Sequence, residues 1–288
     1  MNIKLSIIIP HKDTPQLLQR CLESIPQRDD LEVIIVDDNS AVSNKEDFPG
    51  VHRKNTIVYF SKKNLTAGGA RNKGLSIATG EWIMFADSDD FYHECMIETV
   101  SPFFSSEYDL VFFGMDSVYS DTLLPAKRGA GVVDLLKLAN SGDIEAQNQI
   151  RYKFLYPSCK LIRRSLVNEY NIRFDEVPAS NDTMFGVKIA TNTNRIFYNP
   201  EIIYCLTHRE NSLVTSYKYE NLKSRLLVSF ELHDYLKGYG KEIYAQSSVS
   251  HWLQIRHASY IKFVSDFFVL LKQVSIVDVF SFVIKKVK

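Results

Sequence analysis

The first hundred residues alternate between short apolar runs and stretches whose apolar positions fall three and four apart. Leu5-Ser6-Ile7-Ile8-Ile9 and Glu32-Val33-Ile34-Ile35-Val36 are nearly continuous and rich in β-branched residues, as strands buried on both faces are. Between them Leu17, Leu18, Cys21, Leu22 and Ile25 keep helical spacing. Thr14 stands at the cap and Pro15 at the first helical position, where its missing N–H costs nothing. Further strands are expected around 56–60, at Trp82-Ile83-Met84-Phe85 and at Leu110-Val111-Phe112-Phe113, with helices over 66–78 and 97–104. This rhythm predicts an α/β fold, a mostly parallel central sheet with helices on both faces. Ligands of such sheets gather beyond the carboxyl ends of the strands.

From Asp116 to about Asn148 the pattern weakens, and Gly129, Gly131 and Gly142 mark loops. Order returns from Tyr156 to Phe174 and in a helix over 182–190; beyond Glu220 the chain reads as helical almost throughout. Three parts follow: 1–115 for the ligand-binding strands, 116–219 for the remainder of that domain, and 220–288 as a helical extension.

Composition narrows the function classes. With 34 basic and 34 acidic residues, no global field draws in nucleic acid. The four cysteines form no CxxC pair, which argues against a zinc site or a disulfide framework and favours a reducing, cytoplasmic setting. The apolar run 5–9 is too short for a signal-peptide core, and no stretch reaches the length needed to span a bilayer.

Five constellations carry candidate chemistry. Asp87-Ser88-Asp89-Asp90 follows directly on an apolar strand, and adjacent carboxylates there suit Mg²⁺ or Mn²⁺, hard cations that bridge protein to diphosphate. The plainer reading is that they cap the next helix. Asp37-Asp38 ends the second strand, where a carboxylate accepts from a base N–H or a ribose hydroxyl; an Asx-turn with Asn39 and Ser40 is the equal alternative. Gly68-Gly69-Ala70-Arg71-Asn72-Lys73-Gly74 opens a helix, with glycines for close approach of a ligand and Arg71 for phosphate. It is neither a GxGxxG fingerprint nor a P-loop. Asp182 stands before a helix, either as its cap or as a general base. His208 and Arg209 follow the apolar run 202–206 and offer contacts to a diphosphate or its metal.

In order and spacing these segments, with Ser6-Ile7-Ile8-Ile9-Pro10, resemble inverting glycosyltransferases of family 2, which have the GT-A fold. A weaker likeness runs through Cys159 to Ser165, Asn181-Asp182 and Tyr204 to Ser212. The resemblance implies a nucleotide-sugar donor, usually a UDP-sugar, held by Pro10, Asp38, Gly68, Arg71, Asp87 and Ser88. It implies a Mn²⁺ or Mg²⁺ ion on Asp89 with His208, and Asp182 as the base that activates an acceptor hydroxyl. The expected acceptor is a growing glycan, lipid-linked in one reading, of capsule, O-antigen or exopolysaccharide type. Two departures stand out: Asn181 where the family usually has glutamate, and His11 after Pro10. Asn181 also admits a catalytically degenerate nucleotide-sugar-binding protein. A sugar-phosphate nucleotidyltransferase fits poorly, because His11 to Thr14 leads straight into a helix where that class carries a glycine-rich loop.

In the tail, Phe263, Phe267, Leu270, Val274, Val277 and Ile284 recur at helical steps, and Val264, Phe268 and Leu271 widen the stripe. Five lysines from Lys262 to Lys288 accompany it. Peripheral contact of this helix with the inner face of the membrane is one expectation; packing on the catalytic part or on a partner subunit is the other.

Overall fold

The computed structural model describes residues 2–41, 44–209 and 217–287. Strand β1 (Leu5–His11), helix α1 (Pro15–Glu23), β2 (Leu31–Asp37), β3 (Thr56–Phe60), α2 (Thr66–Ile77) and β4 (Trp82–Phe85) build the first half. The second half runs β5 (Phe91–Tyr92), α3 (Met96–Val100), β6 (Leu110–Tyr119), α4 (Val132–Asn140), α5 (Ile144–Lys153), β7 (Lys160–Arg163), α6 (Arg164–Glu169), α7 (Thr183–Thr191) and β8 (Ile196–His208). Helices α8 (Tyr219–Lys237), α9 (Ser248–Ile255), α10 (Tyr260–Leu270) and α11 (Ile276–Val287) complete it.

One sheet holds the eight strands in the order β3-β2-β1-β4-β7-β6-β8-β5. β1, β2, β3 and β4 pair in parallel. β7 runs antiparallel to both β4 and β6, while β6 and β8 are parallel. The continuous apolar runs explain the parallel half: every residue of β2 and of β4 is buried, so helices must cover both faces. In the other half β6 and β8 shift register around Gly114. A Cβ at Gly114 would stand 2.6 Å from the Pro200 carbonyl, so only glycine lets the two strands close there.

Three expectations change. The helix expected over 97–104 is a short α3 followed by a 3₁₀ turn from Ser101 to Ser105. The weak region after Asp116 is not chiefly loop: β6 continues to Tyr119, and α4 and α5 follow. Its glycines do mark turns, since Gly131 and Gly142 have φ of +86° and +96°, and the Asp143 carboxylate caps α5 by accepting from Ala146 N at 2.7 Å. The tail stripe is not one helix but two, α10 and α11.

α8 joins the tail to the body through two faces. Val228, Leu232 and Leu236 pack with Tyr152, Met184 and Val187 of α5 and α7. Leu222, Leu226 and Phe230 pack with Trp252, Leu270 and Val279 of α9, α10 and α11. Among the described residues no helix is long and apolar enough to cross a membrane, and all four cysteines are free thiols.

Candidate active site

The carboxyl ends of β1, β2 and β4 converge, and the candidate residues meet there. The acidic pair after β2 divides its labour. Asp37 is buried and receives His11 Nδ1 at 2.8 Å, Ser40 Oγ at 2.6 Å and Ser40 N at 3.0 Å. Burial works to raise its pKa, but the hydrogen bonds from His11 and Ser40 outweigh it and hold the carboxyl below the usual range. Asp37 is therefore the Asx-turn residue. His11 serves the same turn, its Nε2 accepting from Thr14 N at 3.1 Å, and Thr14 caps α1 without a side-chain hydrogen bond. Asp38 instead faces the start of α2, where its Oδ1 accepts from Leu65 N, with Lys12 Nζ 3.6 Å from Oδ2. Pro10 lies at the end of β1, opposite Val36.

Gly68 corrects the reading that its bare Cα admits a ligand. A Cβ there would stand 2.0 Å from the Asp175 carbonyl and 3.1 Å from Asn181 Cβ. The glycine lets α2 press against the loop that leads to α7. Three residues along α2, Arg71 spans the resulting junction. Its guanidinium donates to Asn181 Oδ1 at 2.9 Å and to Asp87 Oδ1 at 2.6 Å, and lies 5.3 Å over the Phe174 ring. The Phe174 ring stacks on Phe185 of α7 at 3.8 Å, and both meet Phe85 of β4 edge-on. Such aromatic contacts add about 1 kcal/mol each beyond area burial, and here they clamp the start of α7 onto the strand that delivers Asp87.

The four residues after β4 have separate fates. A short strand, β5, follows them, so they cap no helix. Asp90 is an anchor: it accepts from Thr207 N at 2.6 Å and from the Tyr204 hydroxyl at 3.0 Å. Burial, then the Asp87 and Asp89 charges, push its pKa well above the carboxylate range. Tyr204 links it to the turn, because its oxygen also accepts from Asp87 N at 2.9 Å. Ser88 is buried between the two. Asp87 and Asp89 keep partly exposed carboxylates, 41% and 23%. Burial and then repulsion from Asp87 raise the Asp89 pKa, against the Arg209 charge.

Arg209, not His208, stands beside Asp89, its Nε 3.1 Å from Oδ2. The His208 ring lies edge-on to Tyr119 at 5.5 Å. Among the described residues no third His, Cys, Asp or Glu joins Asp87 and Asp89 within ligand reach. A cavity of about 440 Å³ opens against Arg209, lined by Tyr119, Ser120, Asp121 and His208. The similar segment that ends at Ser212 runs out of the described residues beyond Arg209.

Asp182 occupies the cap position of α7, yet its side chain bonds to no helix N–H. Its carboxylate is left for other chemistry. Burial raises its pKa, opposed chiefly by Arg71. Lys160, fully buried on β7 between Phe112 and Phe154, bonds to the Tyr156 carbonyl. Burial lowers its pKa to about 7, opposed by Cys159 and Asp182. The loop before Asp182 is held from outside by α8, whose Ser224 Oγ donates to the Ala179 carbonyl at 2.6 Å. Asn39, Thr66, Cys159 and Ser180 have φ between +56° and +66°. Each adjoins or nearly adjoins a candidate residue, and such strain collects at functional sites. Tyr204 and Thr207 carry no sequence signal, being hidden in an apolar strand; Lys160 opens the short strand β7, and its burial is equally unmarked.

Three comparisons bear on these residues. The family model described as Glycosyl transferase family 2 matches residues 6–170. The poly(ribitol-phosphate) beta-N-acetylglucosaminyltransferase TarS of Staphylococcus aureus is 26% identical over 74% of this chain and 37% of its own length. The GalNAc(5)-diNAcBac-PP-undecaprenol beta-1,3-glucosyltransferase of Campylobacter jejuni is 28% identical over 65% of this chain and 59% of its own. The crystal structure of TarS residues 1–349 with UDP-GlcNAc superposes with a TM-score of 0.63, at 22% identity, over 88% of this chain and 70% of that one. The chain thus spans little more than a third of the length of TarS and under two thirds of the Campylobacter enzyme.

Proposed function

Because the chain belongs to glycosyl transferase family 2, we propose that it moves a sugar, with inversion, from a UDP-sugar to a hydroxyl of a cell-surface glycan. The observation that carries the proposal is the Arg71 bridge. One guanidinium ties the turn of Asp87 and Asp89 to the loop of Asn181 and Asp182, so a donor end and a base end face one another. UDP-GlcNAc and UDP-glucose are the donors favoured by the relatives' names, and polyol-phosphate or polyprenol-linked glycans the acceptors. Asn181 supports activity and not degeneracy, because its amide oxygen keeps an acceptor on Arg71.

Asp38 and Pro10 border the base and ribose, and Arg71 meets the diphosphate side. Asp87 and Asp89 would hold a hard divalent cation, Mn²⁺ or Mg²⁺, through the oxygens left over after Arg71 and Arg209 each pair with one. His208 packs on Tyr119 and does not join them, so the remaining ligands would come from the donor diphosphate and water. When bound, the cation neutralises charge on the departing diphosphate. Asp182 takes the proton of the acceptor hydroxyl, a role that its raised pKa favours, and the aromatic clamp fixes its distance from Asp87. In the test, UDP release from either donor requires acceptor and Mn²⁺, and Arg71→Ala lowers it about 100-fold. Absence of transfer to any polyol-phosphate or polyprenol acceptor sinks the proposal.

The tail supports an acceptor at a membrane. Ile261, Val264 and Phe268 of α10 and Val277, Phe280 and Ile284 of α11 stay 46–81% exposed after the opposite faces pack on α8 and α9. Asp266 turns inward to Lys223 and Tyr219, which leaves Asp278 as the one outward acid among five lysines of the tail sequence. The side chains of Lys285, Lys286 and Lys288 lie outside those described. An apolar face with basic flanks matches an anionic bilayer. The full chain is expected to pellet with anionic vesicles, and an I261K/F268K/F280K variant to stay in the supernatant; equal pelleting refutes the contact.

A further inference from the structure

Tyr204 points toward Asp90, so its neighbour Cys205 projects from the opposite face of β8. There Cys205 stands directly across from Asp116 of β6 and from Phe91 of β5. His93, two residues past Phe91, shares that face, and its Nε2 lies 2.9 Å from Asp116 Oδ1. The imidazole nitrogen, the carboxylate oxygen and the thiol sulfur all lie within 4.8 Å of one another. The residue after β5, together with β6 and β8, thus assembles one nitrogen, one oxygen and one sulfur donor. CxxC spacing cannot reveal such a group.

We propose that His93, Asp116 and Cys205 form a second cation site, for a thiophilic divalent ion of the zinc class, on the back of the donor turn. Donor atoms around tetrahedral zinc stand about 3.3–3.8 Å apart, so the sulfur would draw in by up to about an ångström while the 2.9 Å His93–Asp116 pair opens slightly. The His93 and Asp116 side chains are 34% and 45% exposed and provide the way in, while the sulfur sits at the base, 1% exposed. Sulfur selects against the hard Mg²⁺ or Mn²⁺ suited to Asp87 and Asp89. On binding, the cation replaces the thiol proton, which leaves to solvent, and breaks the His93–Asp116 hydrogen bond. His93 uses its Nε2 lone pair with the proton on Nδ1, and water fills the fourth position. Because the bound sulfur is a thiolate, binding releases one proton per cation. Occupation would cross-link β5, β6 and β8 behind Tyr204 and Thr207, the two residues that hold Asp90. The site stands whether or not the proposed reaction does.

Cobalt titration of the chelator-stripped full chain, in excess Mg²⁺, tests this through the thiolate-to-cobalt charge-transfer band. One equivalent of Co²⁺ is expected to develop the band, and Zn²⁺ to erase it. Cys205→Ser removes it, and His93→Ala and Asp116→Asn weaken cobalt binding at least tenfold. Cys95→Ser, at an exposed thiol nearby, keeps it. No band in the wild type, or a band that survives Cys205→Ser or is lost with Cys95→Ser, overturns the proposal. If Cys205→Ser fails to fold, unchanged affinity in both His93→Ala and Asp116→Asn overturns it equally.

Discussion

The parallel half of the sheet, β3-β2-β1-β4, offers Asp38 and Asp87 from strand ends; the β7-β6-β8-β5 half works from inside its strands. Tyr204 and Thr207 grip Asp90 from within β8, and Lys160 lies within β7. Under the proposed function the first half presents groups to a ligand, and the second fixes where those groups stand. Buried hydrogen-bonded carboxyls such as Asp37 and Asp90 belong to the fixing work, and the partly exposed Asp87 and Asp89 to the presenting work. Adjacent residues of one type thus take different roles according to how deeply each is buried and how many hydrogen bonds hold it.

The largest expected effect breaks this division at its meeting point. Asp182→Asn is expected to cut turnover by about 10²–10⁴-fold while UDP binding, followed by calorimetry, stays within about twofold. Retained turnover would move the base elsewhere. Next, Asp90→Ala strands Thr207 N and the Tyr204 hydroxyl and is expected to cost about 2–4 kcal/mol in denaturant unfolding. A loss below about 1 kcal/mol would mean that the second half does not hold the turn.

How much of this was legible in the chain follows the same division. β1, β2 and β4 announce themselves because both faces are buried, leaving unbroken apolar runs. The presenting residues then stand at predictable ends. α4 and α5 were obscured by Gly129, Gly131 and Gly142, which mark true turns between elements too short to show a clear period. Asp37 and Asp38 are indistinguishable by type; only the His11 and Ser40 contacts separate them. Arg209 is visible as a residue, but its place on Asp89 depends on the β5–β8 register, which no local pattern carries. Gly68 misled for a physical reason: close approach demands glycine whether the neighbour is a ligand or, as here, the Asp175 carbonyl.

Lys160 sharpens the comparison through pH. Below about 7 it is charged folded and unfolded and adds no slope. From about 7 to 10.5 the unfolded chain keeps a proton that the folded one has lost, so stability rises with pH. The slope is at most about 1.4 kcal/mol per unit. Denaturant curves at several alkaline pH values are expected to show this slope in the wild type and its loss in Lys160→Met; parallel curves would place a charged lysine in the strand. The smallest effect concerns Thr66, a β-branched residue at φ +66°. Thr66→Gly is expected to raise stability by about 0.5–1 kcal/mol by thermal or denaturant unfolding. A loss instead would show that its hydroxyl matters more than its backbone.

The hydrogen bond from Ser224 ties α8 to the Ala179 carbonyl. This helix of 19 residues, about 28 Å long, carries the α9–α11 cluster on one side and steadies the Asp182 loop on the other. A tail seated on a surface would then hold the reaction centre at one height and one tilt, as a tripod holds a lens. Under the proposed membrane contact, reach toward a surface-bound chain would be a dimension of the fold, and altering the length of α8 would change which hydroxyl along the chain comes into focus.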